Sequence, residues 1–259
     1  MMLLKKEILN TAEYRRNYFL EESRQINIRS KVLNLYTPNS MLDFFATWGE
    51  NIEPELLDWI DSLPSGSTFF DIGASNGFFA LYAHLAGLEV TAFEPDALNY
   101  CALEINRFLN KADFGSFNIA LTDHTHIGEL YINTFGFGMH NKVLDEKANR
   151  DGIPEASIEH IQKVITFTLD DFVQIFKVPS PRFIKIDVDG SEMKVLQGAA
   201  TLLSNAERLF IELSDLRPDY PVIRQTLENS GLCLQQRFPV RHHKGGHYEG
   251  LYNYIFKRD

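Results

Sequence analysis

The apolar run Thr68-Phe-Phe closes on Asp71, passes through Gly73 and Gly77, and resumes as Phe78-Phe-Ala80 with helical spacing. No other stretch constrains the fold as tightly. A strand that turns through glycines into a helix lets a small polar ligand approach bare backbone, because glycine has no side chain to hold it off. An acidic residue closing the strand, in place of a further glycine, points to a ligand with a positively charged group. The next apolar run, Val90 to Phe93, ends in Glu94-Pro95. A carboxylate about 20 residues beyond the glycine turn is where nucleotide-binding α/β folds hold ribose hydroxyls.

Other nucleotide signatures are missing. There is no GxxxxGK[ST] phosphate loop, and Ala74 and Ser75 stand where GxGxxG would place glycine for a pyrophosphate. A nucleoside bearing a cationic group fits what remains, and S-adenosylmethionine is the cofactor that Asp71 and Glu94 together imply.

Along the chain, residues 1–66 read as a helical extension without strand alternation, and residues 67–259 as the α/β domain. The extension is expected to pack on the sheet or to cap its binding face. Its clearest helix opens at Pro54 and is closed by Pro64-Ser-Gly66. From residue 67 the pattern alternates: strand 67–72, helix 77–87, strand 88–94, helix 96–110 and a third strand over 117–121, an order that gives a parallel sheet with right-handed crossovers. An added strand is expected at 128–133. Residues 134–159 then read as a long loop, and long loops in compact domains are commonly functional, so a flap over the site is expected. The alternation returns with strand 163–168, helix 170–176 capped by Thr168 or Asp170, strand 182–187, helix 190–204, strand 207–213, helix 219–230 and a closing antiparallel pair at 231–238 and 251–256.

Composition narrows the partners. The formal net charge is −10 and no dense Lys/Arg cluster occurs, which argues against a nucleic acid or membrane surface as main partner. No uncharged stretch reaches the length of a membrane span, and Lys5 and Lys6 follow the first residues too soon for a secretory signal. Cys101 and Cys233 are the only cysteines and form no CxxC pair, so reduced thiols and a cytoplasmic location are the expectation. Assembly into homo-oligomers is left open.

Several pieces recur in order: Phe70-Asp-Ile-Gly-Ala-Ser-Asn-Gly-Phe-Phe79, Ala92-Phe-Glu-Pro95, Thr168-Leu-Asp-Asp171, Phe183-Ile-Lys-Ile-Asp-Val-Asp-Gly-Ser-Glu192, Val195-Leu-Gln-Gly-Ala199 and Ile211-Glu212. Together they resemble the FkbM family of S-adenosylmethionine-dependent methyltransferases over roughly residues 53–213. The resemblance implies a Rossmann-like class I methyltransferase fold, a seven-stranded, mostly parallel sheet flanked by helices, here with the N-terminal helical cap. It implies methylation of hydroxyl groups on sugars, glycans or related metabolites. Carried over by position, Asp71, Gly73, Ala74, Asn76, Gly77 and Phe78 would line the methionine end of the cofactor. Glu94, followed by Pro95, would accept the two ribose hydroxyls. Ala120, Leu121 and Asp123 would border adenine. One departure is Asp189-Gly190 where the family commonly has Glu-Gly.

A hydroxyl acceptor is about as weak an acid as water, with a pKa of roughly 15.7 in bulk, so a base or metal must take its proton. Asp187 ends a central strand, where α/β sheets bind ligands, and is the first candidate for base or acceptor-orienting residue. Lys185 shares its face of the strand and must pair with a carboxylate or point into a cleft. His140, in the glycine-rich segment, is placed to relay a proton. Asp187, Asp189 and Glu212 would offer oxygen ligands to a divalent metal, but no spacing is diagnostic. The group His242, His243 and His247 lacks a cysteine or HExxH partner and reads as an exposed loop. Transfer to nitrogen or carboxylate, a non-catalytic cofactor-binding module of a glycan-assembly complex, and a nicotinamide dehydrogenase remain the alternatives. The absence of an Asn/Asp-Pro-Pro-aromatic signature weighs against an amino acceptor.

Overall fold

The computed structural model describes residues 19–140, 142–146, 157–241 and 246–258. The first strands among the described residues are β1 (Ser23–Ile28) and β2 (Lys31–Tyr36), an antiparallel hairpin in which Ile28 faces Lys31. A hairpin therefore stands where helix was expected. Each strand carries only two buried apolar residues, Ile26 and Ile28, then Leu33 and Leu35. Polar residues between them leave an alternation too short to register in the sequence. At the turn, Arg29 reaches Asp58 and Asp61, each at 2.5 Å.

Helix α1 (Ser40–Trp48) begins at Asn39, whose side chain accepts the Leu42 amide. Helix α2 (Pro54–Asp61) begins with proline, whose missing N–H costs nothing in a first turn. Then come β3 (Thr68–Ile72), α3 (Phe78–Leu85), β4 (Glu89–Phe93), α4 (Ala97–Asn110), β5 (Gly115–Phe117), β6 (Ala120–Leu121), β7 (Ile127–Ile132), β8 (Lys142–Leu144) and β9 (His160–Phe167). The remainder is α5 (Leu169–Phe176), β10 (Phe183–Ile186), α6 (Glu192–Gln197), α7 (Ala200–Leu203), β11 (Arg208–Ser214), α8 (Tyr220–Asn229), β12 (Leu232–Arg241) and β13 (His247–Arg258).

The main sheet has seven strands in the order β12-β13-β11-β10-β3-β4-β5. Strands β5, β4, β3, β10 and β11 pair in parallel, and β13 runs antiparallel to both of its neighbours, as expected of the closing pair. From β3 the chain winds outward to β4 and β5, then returns to place β10 on the other side. That reversal leaves a crevice at the carboxyl ends of β3 and β10, the usual ligand position in such sheets.

The expected third strand over 117–121 is divided. β5 ends the main sheet, while β6 opens a second, four-stranded sheet in the order β6-β9-β7-β8. The segments expected at 128–133 and 163–168 are partners here, β7 running antiparallel to β9. The expected flap contains β8, and residues 147–156 lie outside the described residues. The single helix expected over 190–204 is broken at Gly198, where a Cβ would sit 2.0 Å from the Thr122 carbonyl oxygen. Asp170 caps the second half by accepting the Thr201 and Leu202 amides at 2.8 and 3.0 Å, while Thr168 caps α5.

One core runs across the boundary drawn at residue 66. Leu33 and Leu35 of the hairpin and Leu56, Leu57 and Ile60 of α2 belong to the same buried cluster as Phe69, Leu81 and Phe210. Burying each such side chain contributes about 1.5–3 kcal/mol, so the N-terminal elements are fastened to the sheet. That places α1 and α2 beside the crevice.

Candidate active site

A cleft opens at the carboxyl ends of β3, β4 and β10, enclosing about 1150 Å³ of atom-free space with its mouth included. The turn after β3 forms its floor. Gly73 and Ala74 donate their amides to the Phe93 carbonyl at 3.0 and 2.9 Å, which folds the turn against β4. Gly73 has φ +78°, and a Cβ there would lie 1.8 Å from the Asp187 carbonyl oxygen, so only glycine lets the two strand ends meet.

Below the turn lies a buried ion cluster. Lys185 Nζ is 3.0 Å from the Asp71 carboxylate and 3.5 Å from that of Asp187, and donates to the Gly73 carbonyl at 2.8 Å. Burial works against the ammonium, but Asp71 and Asp187 more than offset it and hold Lys185 above its ordinary value. Burial pushes the Asp71 carboxyl up, with Lys185 opposing. Asp71 is fully buried, whereas the Asp187 side chain is 35% exposed and lines the cleft. Of the two carboxylates on this lysine, only Asp187 is presented to a ligand.

At the other end, Glu94 accepts the Ser75 amide at Oε2 and the Asp96 amide at Oε1, both at 2.8 Å. Burial pushes its carboxyl up to about 7, against the opposing field of Lys142 and the two amides. Lys142, from β8, enters the cleft with its ammonium 3.2 Å from Asp96. Ser75 Oγ and Asn76 Nδ2 are buried and hydrogen-bonded to nothing among the described residues, and both residues line the cleft. Ala120 and Leu121 give it an apolar side.

The cleft thus gathers Gly73, Ala74, Asn76, Glu94, Pro95, Ala120 and Leu121 of the expected cofactor residues, and Lys185, Asp187 and His140 of the expected catalytic ones. Four expected residues stand apart. Asp71 is engaged beneath the turn with Lys185, so its position corrects the expectation of direct ligand contact. Gly77, at φ +77°, caps α3 and faces Leu103. Phe78 is a core residue whose ring meets Phe79 edge-on and lies tilted against Phe45. Asp123 is exposed and bonds His124 at 2.7 Å. His140 is exposed at the mouth.

Residues not anticipated also line the cleft: Phe44, Phe45, Ile52 and Glu53 from the N-terminal elements, and Lys142 and Leu144 from the second sheet. Only Glu53 had a local signal, an acidic residue directly before the helix-opening Pro54. Among the described residues no group of three or more His, Cys, Asp or Glu side chains is arranged to hold a metal ion, and His242 and His243 lie outside them. No described helix is long and apolar enough to cross a membrane.

A family model, the methyltransferase FkbM domain, matches residues 71–232. The chain belongs to the FkbM methyltransferase family. This FkbM methyltransferase is similar in fold to the magnesium protoporphyrin IX methyltransferase of Synechocystis PCC 6803 with bound S-adenosylmethionine. The two share 10% identity and a TM-score of 0.50 over 99% of this chain and 96% of that one. An S-adenosylmethionine-dependent methyltransferase from Agrobacterium tumefaciens matches with 9% identity and a TM-score of 0.49, over 92% and 71% of the two chains. No curated protein matches the chain.

The cofactor of the FkbM methyltransferase is S-adenosylmethionine, and the cleft has the donors and acceptors to suit it. Ser75 Oγ and Asn76 Nδ2, at the glycine turn, are buried polar atoms with no hydrogen-bond partner among the described residues. The Glu94 oxygens keep lone pairs beyond those taken by two amides, which is what a pair of ribose hydroxyls requires.

Proposed function

We propose that this methyltransferase acts on a hydroxyl group of a sugar, glycan or related metabolite. The observation that carries the reading is Asp187: a carboxylate at the carboxyl end of the central strand, on the cleft wall, with Lys185 behind it. A carboxylate there accepts a hydrogen bond from a hydroxyl and so aims the oxygen lone pair away from itself, toward the reacting carbon.

Each end of the cleft then has a task. Glu94 holds the ribose hydroxyls, Ser75 and Asn76 meet the methionine end, and Ala120 and Leu121 border the adenine. The bound cofactor supplies an electrophilic methyl group. The protein's share is alignment, since an in-line transfer gains most from orientation and can draw about 7–11 kcal/mol from it. Asp187 orients the acceptor or takes its proton, Lys185 fixes the Asp187 carboxylate, and His140 at the mouth relays a proton outward.

An amine is the second reading, favoured by the acidic wall, which would attract a protonated amino group. Labelled methyl transfer to a panel of sugars, sugar nucleotides, glycans, amines and carboxylates, with and without chelator, separates these. The expected result is label on a hydroxyl, lost in Asp187→Asn. Label confined to nitrogen or carboxylate overturns the hydroxyl reading, and full turnover by Asp187→Asn overturns the role of Asp187. Cofactor binding without turnover on any acceptor class points to a binding module.

A further inference from the structure

Glu53 lies outside the segment matched by the family model and reaches the cleft from the N-terminal side, immediately before α2. It lines the same cavity as Lys185 and Asp187. The charged groups whose fields act on it are Asp187 and Lys185 at β10, Glu212 on β11 and Glu55 on α2. Lys185 is the one cation in that set, and it is already engaged by Asp71, Asp187 and the Gly73 carbonyl. Glu53 makes no ion pair among the described residues. Burial, then Asp187 and Glu212, push its carboxyl well above the ordinary carboxylate range. In the unliganded cleft Glu53 is therefore a carboxyl group on the wall with no cation of its own, and its surroundings favour the neutral form.

Such a group responds to cations entering the cleft. S-adenosylmethionine carries a sulfonium, while the product S-adenosylhomocysteine carries a neutral thioether. We propose that Glu53 is the proton acceptor of the methyl transfer, a catalytic carboxylate that touches the acceptor hydroxyl while Asp187, engaged with Lys185, orients it. This rests on the hydroxyl-acceptor reading above.

The step balances. The methyl–sulfur bond breaks with its electron pair left on sulfur, a carbon–oxygen bond forms, and the hydroxyl proton passes to the ionised Glu53 carboxylate. One cation and one anion become two neutral groups, so the charge of the cleft is the same before and after. Glu53 is ionised by the charge on sulfur when a base is needed. It holds the proton again once that charge is gone.

The test needs no acceptor. Calorimetric titration with S-adenosylmethionine and with S-adenosylhomocysteine, near pH 7 in buffers of different ionisation enthalpy, counts protons released on binding. The expected result is about one more proton released by the sulfonium ligand, with its affinity relative to the thioether rising about tenfold per pH unit while Glu53 titrates. Glu53→Gln is expected to abolish the difference and leave S-adenosylhomocysteine affinity within about threefold, while Asp187→Asn is expected to shrink it without abolishing it, because the Asp187 charge helps push the Glu53 carboxyl up. Equal proton counts for the two ligands in the wild-type chain overturn the proposal without recourse to any variant, as does a difference that survives Glu53→Gln. With a hydroxyl acceptor from the panel, Glu53→Gln is expected to lower kcat about 10²–10⁴-fold with little change in KM. An unchanged kcat also overturns the proposal. Label found only on nitrogen, with the proton difference intact, removes the hydroxyl reading and leaves Glu53 as the group that senses the sulfonium.

Discussion

The Glu94 carboxylate accepts the backbone amide of Ser75 at 2.8 Å, tying the end of β4 to the glycine turn that follows β3. The residue assigned to the ribose thereby also shapes the floor for the methionine end. Its folded value of about 7 lies above the ordinary 4.5. Between those values the folded chain holds a proton that the unfolded chain releases, so this contribution to stability is full below pH 4.5 and is lost as pH rises through 7. Ribose hydroxyls favour the anion, so binding has the opposite trend. S-adenosylhomocysteine affinity, measured by calorimetry from pH 5.5 to 8, is expected to rise through pH 7, and Glu94→Gln is expected to flatten that rise.

Lys142 opposes burial at Glu94. Lys142→Met is expected to move the pH-dependent rise in S-adenosylhomocysteine affinity to higher pH. The same titration series in the variant checks this, and an unmoved rise would separate Lys142 from the ribose end.

The Asp71–Lys185 pair is buried and internally compensated. Removing one partner leaves a charge in the core, and Lys185→Met is expected to cost about 3–5 kcal/mol in urea unfolding. Asp71→Asn combined with Lys185→Met is expected to recover much of that loss, because the fully buried ammonium and carboxylate are then removed together and the Asp187 carboxylate that remains is part-exposed. Additive losses in the double variant would show that the two residues act separately.

Gly73→Ala forces a Cβ into the Asp187 carbonyl at a backbone angle that side chains disfavour. A loss on the order of 3 kcal/mol is expected in chemical unfolding, together with loss of S-adenosylhomocysteine binding. Gly66→Ala makes the comparison, because its φ of +77° is similar while its Cβ meets nothing within 4 Å.

The parts of this molecule visible in its sequence are those whose signal is local. Asp71, Gly73 and Glu94 sit at the ends of strands whose apolar runs announce them, and Lys185 and Asp187 share a strand face by simple alternation. The β1–β2 hairpin escaped because each strand offers only two buried residues. The second sheet escaped because β6 is two residues long and finds its partner in β9 across some forty positions of chain. Glu53 and Lys142 reach the cleft through packing between segments far apart, the former sharing it with a lysine and an aspartate more than a hundred residues away, and while the acidic residue before Pro54 marks a helix start, no local pattern encodes such a meeting. Asp71 carried the right signal and the wrong inference: its charge serves Lys185 within the fold.

A crystal structure of the chain with S-adenosylhomocysteine tests the central claim most directly. The account predicts both ribose hydroxyls at about 2.7 Å from the Glu94 carboxylate oxygens, with the amino-acid end over the Gly73–Asn76 turn. A nucleoside whose ribose makes no hydrogen bond to Glu94, or one seated outside this cleft, contradicts it.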